Sequence, residues 1–129
     1  EKAEKIDRIL IHGLTRERVR AEYKLDARCI DTGKVFIELY DHRGRPSWGL
    51  VGRSDFVTFL LDGWDVALEI PGDVLRKASV GWAFELPHKT VVTEGLYGDR
   101  SVIGVAVPVE QVYPLATNRI FIPDAVGVN

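Results

Sequence analysis

From Arg18 to Asp26 polar and apolar residues alternate without a break. Val19, Ala21, Tyr23 and Leu25 fall on one side, and Arg18, Arg20, Glu22, Lys24 and Asp26 on the other. A period of two is the signature of a half-buried strand, and it predicts an apolar inner face carrying the Tyr23 ring. Ile6–Ile11 reads as a preceding strand with a turn near Gly13, and Val35–Tyr40 as a following one after the turn residues Asp31, Thr32 and Gly33. Ser54 is placed to cap a short helical turn through Asp55, Phe56 and Val57. Phe59–Leu61 and Asp65–Ile70 flank Asp62-Gly63, a hairpin signal. Pro71 is suited to the first turn of a helix, which Asp73–Ala78 would continue. Val80–Leu86, Val102–Val107 and Arg119–Ile122 read as strands. The pattern predicts a strand-rich curved sheet with a few short helices.

Composition narrows this further. The 129 residues suit one domain, 1–129, and 46% apolar against 28% charged residues is a globular balance. No apolar run is long enough to predict a membrane span, and the stretch Glu1 to Lys5 is charged at every position but Ala3, so the expected location is cytoplasmic. A single cysteine, Cys29, excludes an internal disulfide, and no Cys/His cluster has zinc spacing. The net charge of −2 hides an asymmetry. Residues 1–53 hold twelve basic and nine acidic residues, an excess of three positive charges; the remainder holds five and ten, an excess of five negative ones. A phosphate backbone, as partner, would meet the first part.

Candidate chemistry is densest there. Glu22 and Lys24 are two positions apart and share a strand face. A hairpin turning at Leu14 and Thr15 sets Asp7 opposite Glu22, so two carboxylates and an amine converge. Two adjacent carboxylates repel unless a cation lies between them, and Mg²⁺ or Mn²⁺, with a preference for oxygen ligands, resolves the conflict. The Tyr23 backbone carbonyl is a further candidate metal ligand. Such a site suits phosphodiester hydrolysis, with Lys24 orienting a water or offsetting charge as the bond breaks. An isolated Glu-x-Lys match, by contrast, reads as a cross-strand surface pair.

The chain resembles the PD-(D/E)xK nuclease superfamily, within it small phage and prokaryotic nuclease-like or Holliday-junction-resolvase-like proteins. The resemblance rests on Ile-Asp-Arg-Ile-Leu at 6–10, Glu-Tyr-Lys-Leu-Asp at 22–26 and Thr-Gly-Lys-Val-Phe-Ile-Glu at 32–38. Pro-Ser-Trp-Gly-Leu at 46–50, Ser-Asp-Phe at 54–56, Leu-Arg-Lys at 75–77 and Gly-Val-Ala-Val-Pro-Val at 104–109 extend it. It implies an α/β, restriction-endonuclease-like core with a bent mixed β-sheet flanked by short helices. It also implies Asp7 and Glu22 as metal ligands and Lys24 as catalytic lysine of a Mg-dependent endodeoxyribonuclease. Six residues precede Asp7 where the family has a longer helix, with Glu4 in place of that helix's acid, and the proline that names the superfamily is missing.

Asp26 is a supporting acid or an ion-pair partner of Arg28, and Glu38 a candidate hydrogen-bond acceptor for the lysine or a supporting acid. Arg28, Lys34, Arg43, Arg45 and Arg53 are candidate DNA contacts, since guanidinium forks suit phosphates. Trp48 reads as a packing anchor, or as a stacking platform for an unpaired base. Trp64 and Trp82 are expected beside strands, His12, His42 and His88 at the surface or in loops, and Cys29 in the interior. The expected protein is a prokaryotic or phage-encoded endonuclease for DNA, including branched or junction DNA, acting as a homodimer if it cuts both strands. The alternative is a non-catalytic β-rich binding or structural module of a phage or larger complex.

Overall fold

A computed structural model describes residues 8–11, 18–26, 29–61, 65–93 and 98–121. Its elements are β1 (Arg8–Ile11), β2 (Arg18–Asp26), α1 (Cys29–Thr32), β3 (Lys34–Tyr40), β4 (Phe56–Leu61), β5 (Val66–Pro71), α2 (Gly72–Glu85), β6 (His88–Thr93), β7 (Arg100–Pro108), α3 (Val109–Val112) and β8 (Asn118–Phe121). A turn of 3-10 helix at Tyr113–Leu115 follows α3.

The described strands form two sheets where the sequence predicts one. The first is mixed, in the order β1-β2-β4-β5-β8, with β2 and β4 parallel and the remaining neighbours antiparallel. The second is antiparallel, in the order β3-β7-β6. One core joins them. Val35, Ile37 and Leu39 alternate inward along β3, and Val57, Phe59 and Leu61 along β4, all close to fully buried. Leu75 and Trp82 of α2 close the same core. The architecture is mixed α/β and strand-rich.

Three elements differ from the expectation. Phe56 and Val57 begin β4, so Ser54 caps no helical turn; it is buried and accepts a hydrogen bond from Arg76 Nη1 at 3.4 Å. Val80–Leu86 is not a strand, because α2 runs to Glu85. Leu75, Ser79 and Trp82 are buried at helical spacing, and that periodicity continues through the short apolar run. Trp82 therefore sits on a helix, its Nε1 donating to Gln111 Oε1 at 3.1 Å. β6 was not legible in the polar stretch His88–Thr93; it forms because β7 supplies a pairing edge from Val105 to Arg100.

Pairing elsewhere agrees with the sequence. Leu61 and Val66 close the β4–β5 hairpin, and Arg8 pairs with Ala21 in the register required by a turn at Leu14 and Thr15. Asp7, Glu4, Arg28, His12 and Trp64 lie outside the described residues, as do the side chains of Asp26 and Cys29.

Candidate functional site: a buried carboxylate–lysine pair

The parallel pairing of β2 with β4 decides which face of β2 points inward. Glu22 stands beside Val57 and Lys24 beside Phe59, and residues abreast in neighbouring strands share a face. Val57 and Phe59 belong to the core, so Glu22 is drawn into the interior and Lys24 is partly covered. Glu22 is only 3% exposed, whereas the Tyr23 ring, expected in the core, is 45% exposed. The alternation is the predicted one, and Ala21 is buried as expected, but at Glu22 and Tyr23 the burial is the opposite of the expected one. A strand's pattern separates its two sides, and only its neighbours determine which side is covered.

Within this interior the pair is well formed. Lys24 Nζ lies 2.8 Å from Glu22 Oε2, with the lysine side chain 30% exposed and the glutamate side chain 4%. The ammonium also sits 4.8 Å from the centroid of the Trp48 ring, which in turn packs at 5.9 Å and 55° on Phe59. The cation is held between a carboxylate and a π-face, both of which attract it. Trp48 is thus a buried anchor, as expected, and in addition the floor under the lysine.

Trp48 is positioned by the segment after β3. Ser47 N–H donates to Leu39 O at 2.7 Å and Gly49 N–H to Glu38 O at 2.9 Å, laying residues 47–49 against the end of β3. The register with β7 shifts between Glu38 and Tyr40, a bulge of the kind that re-aims a strand end. A Cβ on Gly49 would strike the Glu38 carbonyl oxygen and meet Ile37 Cγ2 at 2.7 Å, so only glycine allows this close approach. Ser47, fully buried, donates its hydroxyl to Glu38 Oε2. Glu38 therefore serves Ser47, and the amine it was expected to accept from is taken by Glu22. Ser47 was missed as a site residue because nothing in the intervening stretch, at a separation of nine positions, signals the contact with Glu38.

A second device fixes the parallel register. Asp55 Oδ2 accepts from Arg20 N–H at 2.8 Å, Asp55 N–H donates to Arg20 O at 2.7 Å, and Arg20 Nε lies 3.5 Å from the same carboxylate. Gly72 N–H donates to Asp55 O at 2.7 Å, and Arg76 Nη2 to Ser54 O at 3.2 Å, tying the start of α2 to the start of β4. Neither Arg20–Asp55 nor Arg76–Ser54 carries a sequence signal, since each spans more than twenty residues.

The candidate DNA contacts are dispersed. Arg43, Arg45 and Arg53 are exposed on the segment that carries Trp48. Arg45 Nε is 3.2 Å from Asp41 Oδ2, and the Arg45 and Arg43 backbone N–H groups donate to Asp41 Oδ1 at 3.0 and 2.9 Å. Those donors, Arg45's backbone N–H foremost, hold the Asp41 carboxyl below its ordinary value of 3.8. Lys34 stands at the other end of β3, about 13 Å along the strand from Glu38. It borders an open groove of about 740 Å³ lined by Gly33, Pro108, Val109 and Tyr113, away from Glu22 and Lys24. His42 is exposed in the loop as expected, and His88 is exposed at the start of β6, bonded to Ala83 O at 2.9 Å.

The described carboxylate at this position is that of Glu22 itself, paired with Lys24. Among the described residues no group of three His, Cys, Asp or Glu side chains forms a metal cage. Among them, too, β1 pairs β2 only as far as Ala21, so no described strand flanks Glu22–Asp26 on the side away from β4. Nor is any described helix long and apolar enough to cross a membrane. Compared with known protein families, curated proteins and solved structures, the chain matches none.

Proposed function

We propose that the chain is a metal-dependent endonuclease that hydrolyses DNA phosphodiester bonds at Glu22 and Lys24, with a restriction-endonuclease-like arrangement of the PD-(D/E)xK kind. The observation that supports this reading is the burial of Glu22 in an ion pair with Lys24 on the core face of β2. Burying a carboxylate and an amine costs desolvation that their attraction scarcely offsets, and well-packed apolar residues would serve the fold as well. An expensive pair at the spacing a phosphodiesterase needs has a use in chemistry.

A carboxylate ligand such as Glu22 suits Mg²⁺ or Mn²⁺ and not a thiolate-seeking metal. Glu22 would hold it, with Asp7 and the Tyr23 carbonyl as the further ligands expected from the sequence. When bound, the ion polarises a phosphate oxygen and lowers the pKa of a water. Glu22 supplies negative charge at a site with little solvent, where a cation is strongly favoured. Lys24, steadied by the Trp48 ring, directs its N–H donors at the oxygen of the attacking water, orienting it, or at the departing oxygen, offsetting the negative charge that oxygen gains with the bonding electrons. The exposed arginines 43, 45 and 53 meet the flanking phosphates.

The test is cleavage of supercoiled, linear and branched DNA by the purified chain with Mg²⁺ or Mn²⁺. Cleavage is expected, with losses of about 100-fold or more in Lys24→Ala and Asp7→Ala. Salt-sensitive DNA binding without cleavage under either metal, or variants as active as the parent, would reject it.

A further inference from the structure

We propose that the outward face of α2 is a homodimer interface, with the α2 helices of two copies crossing antiparallel at Gly81. This is the face we assign to the homodimer expected from the sequence, and it stands independently of the catalytic reading.

The inward side of α2 is used by Gly72, Leu75, Ser79 and Trp82. The opposite side should be polar on a solvent-facing helix, yet between Asp73, Lys77 and Glu85 it carries exposed apolar residues. Phe84 is 88% exposed and Val80 49%, with Val74 exposed two turns earlier. Gly81 lies among them in the helix interior, where glycine is a poor choice. No crowding within the chain explains it: a Cβ at Gly81 would meet nothing within 4 Å, whereas one at Gly49, Gly72 or Gly104 would strike backbone. A glycine with open space around it, flanked by exposed valine and phenylalanine, suits the close approach of another helix.

Charge identifies that helix as a second copy. Lys77 lies one turn before Gly81 and Glu85 one turn after it; both are exposed, and neither forms an ion pair among the described residues. In an antiparallel crossing at Gly81, Lys77 of each copy comes opposite Phe84 and Glu85 of the other. The lysine stem covers the ring and the ammonium meets the carboxylate, twice by symmetry. A parallel crossing would set lysine against lysine and glutamate against glutamate. The helix is therefore complementary to its own inverted copy.

Sedimentation velocity on the whole chain over a concentration series tests this. The parent is expected to be a dimer and Phe84→Glu a monomer, with unchanged circular dichroism because that side chain touches no core. Lys77→Glu or Glu85→Lys alone should weaken the dimer about tenfold, from two exposed pairs lost together, and the double exchange should restore it. A monomeric parent, a dimer unmoved by Phe84→Glu, or a double exchange no tighter than the single ones would overturn the proposal.

Discussion

At the scale of single residues, Glu22 and Lys24 carry most of the consequences. Lys24→Ala strands a carboxylate that is 3% exposed, and with the lysine end partly solvated the expected destabilisation is about 3 kcal/mol, read as a lowered urea midpoint. Replacing both members, Glu22→Leu with Lys24→Met, should leave the midpoint unchanged or higher while abolishing cleavage. A double variant as unstable as Lys24→Ala would mean that the pair is needed by the fold. The two charges are plain in the alternation of 18–26, but not that they face inward. That depends on β4, whose Val57 and Phe59 stand abreast of them. Asp41 makes a pH-dependent contribution of known sign. Its carboxyl is held low in the folded chain, so its stabilisation is complete above the ordinary value of 3.8 and is lost as pH falls through the lowered one. Asp41→Asn should lower the midpoint at neutral pH and flatten its decline in acid, as denaturation at a series of pH values would register.

At the scale of elements, the decisive contact is the loop laid on the end of β3. Gly49→Ala should push residues 47–49 off the Glu38 carbonyl, lowering the melting temperature and loosening Trp48, which tryptophan fluorescence would report. Gly81→Ala should raise monomer stability by about 0.5–1 kcal/mol, since the new methyl meets open space and favours the helix. Most strands were legible: β3, β5, β7 and the second half of β4 have apolar alternation or hairpin punctuation, which are local properties, whereas Phe56 and Val57 of β4 were read as a helical turn. Misread or unread were β6, with no apolar pattern, and the second half of α2, where Val80–Leu86 is too short to separate a strand from a helix by composition.

At the scale of the whole molecule, two sheets share one core, and Glu22 of β2 is enclosed because β4 lies parallel beside it. The expectation of one curved sheet fails for a physical reason. A sheet is assembled by hydrogen bonds between distant segments, and nothing in the spacing of β3 and β4 says that they part into different layers. The Arg20–Asp55 bonds hold the parallel register. Asp55→Ala, although both side chains are about 40% exposed, should therefore reduce cleavage more than it reduces stability, a separation that paired activity and denaturation curves would show.

By itself the sequence determined the local quantities: which stretches alternate, where the β4–β5 hairpin closes, that Glu22 and Lys24 share a side, and the pairing register of β1 on β2. These follow from backbone periodicity and turn chemistry, which act over a few residues. Tertiary structure alone decided that Glu22 is buried, that Trp48 lies beneath the amine, that Ser47 occupies Glu38, and that Phe84 remains uncovered. Those outcomes depend on which distant surface arrives to exclude water, and no stretch of chain encodes its own cover.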